Sequence, residues 1–541
     1  MIYLLSHILD QSAQRFPNKE ALRFNDRSLT YVEWLRRADA LAAILVDQGV
    51  QRGDRVGVYL NKSLETLIAI YGIWKAGAAY VPLDPNAPVA RLQFVLSDCA
   101  IRHLITHESK AAGLVALTTE TPLECVIGVS TLGTAVPRCI PWSAINSVTL
   151  PAPRVLVMEQ DLAYVMYTSG STGTPKGLMH THYSGLSYAR LSAAQYQISH
   201  TDRLSNHSPL HFDMSTLDYF TGPLCGATTV IIPEAYTKLP ASTSKLVQDE
   251  RLTIWYSVTT AIVQMVSRGV LEKRDLRALR WILYGGEPFP TRFMHDLMRL
   301  VPTAQIGNVY GPAEVNQCTH YTVPKLPDDY EASIPIGHVW ANSEGLLLGD
   351  DDTPVTQGEI GELVVRTPTM MRGYWGRPDL NARAFYRRKT FDHYEDVFYR
   401  TGDLMKLDED GLLRFYGRKD RQIKTRGYRV ELDEVENALA AHPAVAECAV
   451  FAVPDDEGSS LVEAAVILKY DASAQEHELK GAVAARLPPY AVPAVIHVLS
   501  DFPRTGTGKI DRRALRENTV AAKKTRLDRE VEGTRDAISK M

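Results

Sequence analysis

Stretches with helical periodicity alternate with short apolar runs along most of this chain, and that alternation limits its fold more than any other feature of the sequence. From Thr30 to Gly49, TYVEWLRRADALAAILVDQG places apolar side chains at helical spacing, and GDRVGVYL then reads as a strand. Leu64 to Ala76 repeats the helical pattern, AAYVPLDP gives a strand end with a proline stop, and Arg91 to Cys99 followed by IRHLIT gives another helix–strand pair. This rhythm predicts an α/β sheet. Beyond DLAYVMYTSG, the runs TTVIIP, TIWYSV, ALRWILYGG and AQIGNVYG sit between helical stretches and read as buried parallel strands, predicting a second α/β sheet.

The pattern changes elsewhere. Residues 117–157 are less regular and predict loops with short strands. Between about 340 and 416, GLLLGDDDTPV, GEIGELVVRT, DLMKLDEDG and LLRFYG alternate in hairpin-like units, predicting a β-rich subdomain. Beyond Gly417, VELDEVENALAAHP reads as a helix, AVAECAVFAVPD and LVEAAVILKY as paired strands, and HELKGAVAARLPPYAVP with IHVLS completes an α+β unit. The predicted divisions are therefore 1–416, 417–517 and a charged tail, 518–541.

Composition removes several classes. A chain of 541 residues, 45% hydrophobic, with a net charge of -4, does not suit a disulfide scaffold, a fibrous repeat or a disordered protein. No basic block points to nucleic acid. The cysteines Cys99, Cys125, Cys139, Cys225, Cys318 and Cys448 form no CxxC or Cys/His cluster, which suits a reducing compartment. Residues 1–15 read as an amphipathic helix rather than a secretory signal, and no apolar stretch reaches membrane-spanning length. The expectation is a soluble, cytoplasmic protein.

Tyr167 to Gly177, YTSGSTGTPKG, follows an apolar strand and combines glycines, hydroxyl side chains and Lys176. Successive N–H groups in such a turn can surround phosphate, and the lysine adds positive charge. It is not a Walker A loop, because Gly177 follows the lysine. The segment resembles the phosphate loop of the adenylate-forming superfamily, which includes acyl-CoA synthetases, luciferases and nonribosomal peptide synthetase adenylation domains. WKAGAAYVPLDP, NVYGPAE, YRTGDL, GRKDRQIKTRGYRVELDEVE and PRTGTGKIDRRAL are similar to further family motifs in their expected order, up to about residue 516.

The resemblance implies a large N-terminal region with two α/β sheet subdomains and a β-rich subdomain, plus a small mobile α+β C-terminal domain. It implies that a carboxylate attacks the α-phosphate of ATP with loss of pyrophosphate, and that a thiol then captures the acyl-adenylate. Thr168, Ser169, Gly170, Ser171, Thr172 and Gly173 would contact phosphates, Gly285, Gly286, Glu287, Tyr310 and Gly311 would flank adenine, Asp403 would hold ribose, and Arg418 would be a second ribose contact or a hinge-side one. Glu314 would coordinate Mg2+, while Lys176 and Lys509 would be catalytic. An ammonium brought to the reacting oxygens stabilises charge that develops in the transition state. Asp420 matches the hinge position, and Gly427 the loop beside the phosphopantetheine thiol channel. Ala313 stands where many relatives have Thr.

Asp213, in HFDMSTLDYF, matches the aspartate that pairs with the α-amine in amino-acid adenylation domains. The implied pocket contains Met214, Leu217, Tyr256, Leu283, Gly285, Val309, Gln317 and Cys318, mostly apolar and suited to a small side chain. Asp213, Leu217, Tyr256 and Leu283 resemble the free-standing proline-activating ligases that load a separate peptidyl carrier protein. Met214, Gly285 and Gln317 depart from that pattern: Gly285 would enlarge the cavity and Gln317 would hydrogen-bond a polar substituent. Modified proline, serine, alanine or another small amino acid therefore remain open. The implied partners are a small amino acid and a carrier protein acting in trans, with the ligase itself monomeric. An acyl-CoA synthetase and a non-catalytic scaffold are the competing readings.

Overall fold

The computed structural model describes residues 2–118, 120–133, 135, 136, 138–147, 149–170, 174–327, 330, 332–455, 457–504 and 510–519. The chain separates into two compact units. One contains the chain up to Thr168 together with Pro175–Asp420, and the other contains Ser169–Thr174 with the chain from Arg421 onward. The division expected at 416/417 falls within a strand, Leu413–Arg418, which pairs antiparallel with Tyr394–Leu407. Its ladder carries the first unit past residue 416, and the units part after Asp420.

Two large sheets organise the first unit. The eight-stranded sheet runs Gly373–Tyr374, Lys176–Thr181, Leu162–Thr168, Ala79–Pro82, Arg55–Val58, His103–Ile105, Cys125–Ile127 and Arg138–Ile140. The last two strands come from the irregular stretch, whose remainder includes a short helix, Trp142–Ser147. The nine-stranded sheet runs His338–Val339, Thr319–Val323, Gln305–Tyr310, Trp281–Gly285, Ile254–Val258, Arg203–Asn206, Thr228–Ile231, Glu20–Phe24 and Arg27–Thr30. The four apolar runs noted in the sequence are Thr228–Ile231, Ile254–Val258, Trp281–Gly285 and Gln305–Tyr310, all on parallel ladders as expected.

Helix Tyr31–Asp47 starts at a capping box in which the Thr30 N–H donates to Glu33 Oε2 at 2.8 Å and the Glu33 N–H donates to Thr30 Oγ1 at 3.4 Å. Its apolar face, with Trp34, Leu41 and Leu45, packs into a core shared with Leu67, Ile68, Tyr71 and Trp74 of helix Leu64–Lys75. Trp74 Nε1–H donates to the Ala163 carbonyl at 2.8 Å, tying that helix to the strand leading into the glycine-rich loop. The β-rich stretch forms a five-stranded antiparallel sheet from Glu344–Leu348, Ile360–Arg366, Tyr394–Leu407, Phe385–Phe391 and Leu413–Arg418. The expected hairpin-like units are present: Glu344–Leu348 pairs antiparallel with Ile360–Arg366, and the long strand Tyr394–Leu407, which carries YRTGDL, pairs antiparallel with Leu413–Arg418.

In the second unit, a hairpin of Gln422–Thr425 and Tyr428–Glu431 precedes helix Leu432–Ala440. Strands Val445–Pro454, Ser460–Leu468 and Val495–Val498 form a sheet, and helix Glu476–Ala484 shares their apolar core. This is the expected α+β unit. The expected tail lies outside the described residues beyond Thr519.

Burial lowers the imidazole pKa to about 4 at His180, about 3 at His182 and about 4 at His320. Free histidine titrates near 6.5, so below that pH the unfolded chain binds protons that these buried rings refuse. Their contribution is fully present above pH 6.5 and is lost as the pH falls toward the folded values, with a limiting slope of about 1.4 kcal/mol per pH unit for each ring. Asp218 opposes one of the three, because burial raises its carboxyl pKa well above the usual range. The expected result is a Tm that declines steadily from pH 6.5 to 4.5; a flat profile over that window would contradict it.

Candidate active site

Strand Leu162–Thr168 delivers the chain into the glycine-rich loop, and Lys176–Thr181 returns antiparallel, with Thr168 opposite Lys176. Thr168 Oγ1, at the end of the first strand, is buried without a hydrogen-bond partner. Ser171, Thr172, Gly173 and Lys509 lie outside the described residues.

Lys176 Nζ stands 3.6 Å from Glu314 Oε1 and 4.9 Å from the centre of the Tyr374 ring. Glu314 is fully buried, and Tyr374 Oη–H donates to the same carboxylate oxygen at 3.0 Å. The Tyr374 contact arises because Gly373–Tyr374 pairs antiparallel with Lys176–Thr181. No local pattern in MMRGYWG announces that pairing. His180 is a second residue missed by the sequence reading. Its neutral ring donates from Nε2 to the Ala313 carbonyl at 3.0 Å, an atom that can only accept, and stacks on Tyr164 at 4.7 Å. It thereby ties strand Lys176–Thr181 to the residue that precedes Glu314.

Asp403 lies on the long strand Tyr394–Leu407, paired with Arg418 across the ladder. Tyr310 Oη–H donates to Asp403 Oδ2 at 2.5 Å, and Arg418 donates to Oδ1. The Arg418 guanidinium also grips Asp420 through two hydrogen bonds of 2.7 and 2.8 Å. Arg418 therefore joins the expected ribose contact to the expected hinge residue. An ionised carboxylate has about four acceptor positions, so Asp403 retains capacity for two hydroxyls.

Gly285 ends strand Trp281–Gly285, Gly286 and Glu287 follow it, and Gly311 follows strand Gln305–Tyr310. Glu287 is buried and accepts from Thr260 Oγ1 at 2.8 Å. Gly286 has φ +94°, the left-handed region that favours glycine. The structure gives Gly285 a further reason to be glycine: a Cβ would stand 2.4 Å from the Val309 carbonyl oxygen on the neighbouring strand. Gly285→Ala is expected to destabilise the protein by about 1–3 kcal/mol by forcing these strands apart, measured as a lower denaturation midpoint. An unchanged midpoint would show that the strands adjust freely.

Met214, Leu217, Tyr256, Leu283 and Val309 share one buried apolar cluster with Tyr188, Tyr196, Trp281 and Trp340. Asp213 precedes it, and the Met214 N–H donates to Asp213 Oδ1 at 3.0 Å. Thr216 and Asn316 hydrogen-bond through their side chains, with Asn316 Nδ2–H donating at 3.1 Å, and join this segment to the turn after Glu314. Gln317 is buried and donates to Tyr196 Oη at 2.7 Å. Cys318 packs in the adjoining cluster with Tyr310, Val315 and Ile336. Gly427, with φ +83°, follows Arg426, with φ +51°, in a two-residue hairpin turn. That turn by itself requires a residue tolerant of positive φ.

The residues present fit the ligands implied by the sequence. An unpaired hydroxyl at Thr168 and a lysine beside a buried carboxylate suit a triphosphate, and no cluster of three metal-binding side chains occurs among the described residues. One carboxylate suffices for Mg2+ when phosphate oxygens and water complete its shell.

The model of the AMP-binding enzyme family matches residues 9–375, and that of the AMP-binding enzyme C-terminal domain matches residues 434–509. The chain belongs to this family of adenylate-forming enzymes. It is 31% identical over 516 residues to an L-proline–[L-prolyl-carrier protein] ligase of Pseudomonas fluorescens, covering 95% of this chain and 98% of the relative. A protein with the same description from Streptomyces coelicolor is 34% identical over 506 residues, covering 90% and 91% respectively. The fold matches that of the Vibrio cholerae adenylation domain AlmE, solved with glycyl-adenosine-5'-phosphate, with a TM-score of 0.83 at 24% identity over 96% of this chain and 98% of that one. This protein is thus an enzyme of ATP-dependent adenylate formation, with the two-domain α/β architecture of its class. Among the described residues, no helix is long and apolar enough to cross a membrane.

Proposed function

We propose that the enzyme activates a small amino acid, with L-proline as the leading candidate, and transfers it to the phosphopantetheine thiol of a separate peptidyl carrier protein. The observation carrying this reading is Asp213 at the head of a compact, mainly apolar cluster. A carboxylate there can pair with an α-ammonium while the apolar walls accept a small side chain. The similarity to two carrier-protein ligases over nearly their whole length supports the choice of substrate and acceptor.

In the first step, a carboxylate oxygen of the amino acid attacks the α-phosphorus and pyrophosphate departs. Thr168, Ser169, Gly170 and the rest of the loop, with Lys176, would bind the phosphates, and Asp403 with Arg418 would hold the ribose. Gly285 to Glu287, with Tyr310 and Gly311, would flank the adenine. Lys509 would stabilise the charge that develops on the reacting oxygens. Mg2+ held by Glu314 would supply neutralisation of phosphate charge. In the second step, the carrier thiol loses its proton and its sulfur attacks the acyl carbon; AMP departs as the thioester forms. Gly427 would lie along the thiol approach, and Asp420 would serve as hinge between the half-reactions.

Amino-acid-dependent ATP–pyrophosphate exchange, across proteinogenic amino acids, hydroxyprolines and simple carboxylic acids with Mg2+ present, tests the reading. A dominant small amino acid is expected. Exchange with aryl or aliphatic acids alone would reject Asp213 as an amine contact and favour an acyl-CoA synthetase. Binding of ATP without exchange for any acid would favour a scaffold.

A further inference from the structure

Gln317 does not hang freely among apolar neighbours. One N–H of its side-chain amide donates to Tyr196 Oη at 2.7 Å and the nitrogen also lies 3.3 Å from the Thr319 carbonyl oxygen. A carbonyl can only accept, so this contact fixes which end of the amide is nitrogen. Tyr196 Oη is also 3.4 Å from His320 Nδ1, and His320 Nε2 is 2.9 Å from Thr322 Oγ1. The buried imidazole is neutral and carries a single N–H. With that proton on Nε2, donated to Thr322, the ring accepts the Tyr196 hydroxyl proton at Nδ1 and leaves the tyrosine oxygen to accept from Gln317. The donors thus run Gln317 to Tyr196, Tyr196 to His320, and His320 to Thr322.

The relay is built into the packing. His320 pairs with Val309 across the antiparallel ladder, and a side chain at Gly307 would place a Cβ 2.9 Å from His320 Cε1 and 2.7 Å from Leu283 Cδ2. Tyr196 makes edge contacts with both Trp281 and His320, at ring separations of 5.5 and 5.3 Å. Both donors of the Gln317 amide point into this framework. Its Oε1 receives no hydrogen bond among the described residues, although the residue is only 2% exposed. That oxygen is not among the sealed polar atoms left without a partner, so a ligand can reach it; one that covers it without offering a donor loses its hydration, and one that supplies a donor does not.

We infer that Tyr196 and His320 are positioning residues that hold the Gln317 carbonyl oxygen ready to accept a hydrogen bond from the substrate side chain, so that the preferred substrate is a small amino or imino acid carrying a hydroxyl. This rests on the amino-acid reading of the site given above. It narrows that reading: the apolar walls receive the carbon frame of a proline or similarly small residue, and Gln317 selects the hydroxylated form. A purely apolar side chain would bury the Gln317 oxygen without a partner.

The test compares kcat/KM in ATP–pyrophosphate exchange for matched pairs: the 3- and 4-hydroxy-L-prolines against L-proline, and L-serine against L-alanine. At least one hydroxylated member is expected to exceed its parent by about 10- to 100-fold in the natural enzyme. Gln317→Leu should erase that ratio by lowering activity on the hydroxylated member far more than on the parent. Tyr196→Phe releases one of the amide's anchors and should shrink the ratio, whereas a general loss of packing would lower both members alike. Parents equal to or better than every hydroxylated partner, or both variants lowering each pair by one common factor, would overturn the inference. Exchange with carboxylic acids but no amino acid would instead reject the underlying amino-acid reading, a distinguishable result.

Discussion

Lys509→Ala is expected to lower the adenylation rate by about 10²- to 10³-fold while leaving the transfer of a preformed aminoacyl-adenylate to the carrier thiol within a few-fold of normal. The asymmetry follows from where the ammonium stands as charge develops. In the first half-reaction, negative charge spreads over the carboxylate and α-phosphate oxygens, and an ammonium delivered there is worth more in the transition state than in the ground state. In the second, charge also develops on the acyl oxygen and on the departing AMP phosphate, so the expected asymmetry depends on the small mobile domain having carried Lys509 away from the reacting atoms by then. Gly427 should behave in the opposite sense. Gly427→Trp should depress thioester formation and spare pyrophosphate exchange, because a bulky side chain would obstruct the thiol rather than the nucleotide.

The turn geometry calls for a control. Gly427 has φ +83°, so any large residue also strains the hairpin between Gln422–Thr425 and Tyr428–Glu431. Gly427→Asn tolerates positive φ and adds little bulk, and it separates strain from obstruction. If the tryptophan and asparagine variants lose both half-reactions equally, the glycine serves the turn alone.

The sequence made local periodicity legible and long-range pairing much less so. Helices Tyr31–Asp47, Leu64–Lys75 and Leu432–Ala440 carry their apolar stripe in the chain itself, and the buried strands from Thr228 to Tyr310 are visible as unbroken apolar runs. What no window of residues contains is the exchange between the two large sheets. Glu20–Phe24 joins Thr228–Ile231 in the nine-stranded sheet, while Leu162–Thr168 joins Ala79–Pro82 in the eight-stranded one. The pairings are set by which faces are left to bury after the helices pack, a property of the assembled unit.

The same distinction separates the site residues. Lys176, Glu314, Asp403 and Asp213 stand in compact motifs with their chemistry on view. Tyr374 reaches Glu314 through strand pairing, and His180 meets Ala313, more than a hundred residues away in the chain, while stacking on Tyr164. Arg418 reads as a contact to the ribose, and it forms ion pairs with both Asp403 and Asp420. Its position opposite Asp403 in the ladder is the physical reason, and that register is not written locally.

The second large effect concerns Asp213. Asp213→Asn should reduce kcat/KM for the preferred amino acid by about 10²- to 10³-fold, the scale on which a buried charge is left without its partner. The asparagine is nearly isosteric and keeps an oxygen to accept the Met214 N–H, a bond of 3.0 Å in the native turn, so folding should change little. Thermal denaturation of the variant alongside the exchange assay separates a misfolded pocket from an uncharged one. The diagnostic quantity is discrimination between the amino acid and its deaminated analogue, which lacks the ammonium. In the native enzyme the analogue should be the poorer substrate, since it lacks the ammonium whose charge the Asp213 carboxylate would meet. In the asparagine variant the penalty on the analogue falls while that on the amino acid rises, so the two activities converge. Equal losses for both compounds at unchanged Tm would mean that Asp213 shapes the turn without meeting an amine, and the choice between an amino acid and a plain carboxylic acid would then lie elsewhere in the pocket.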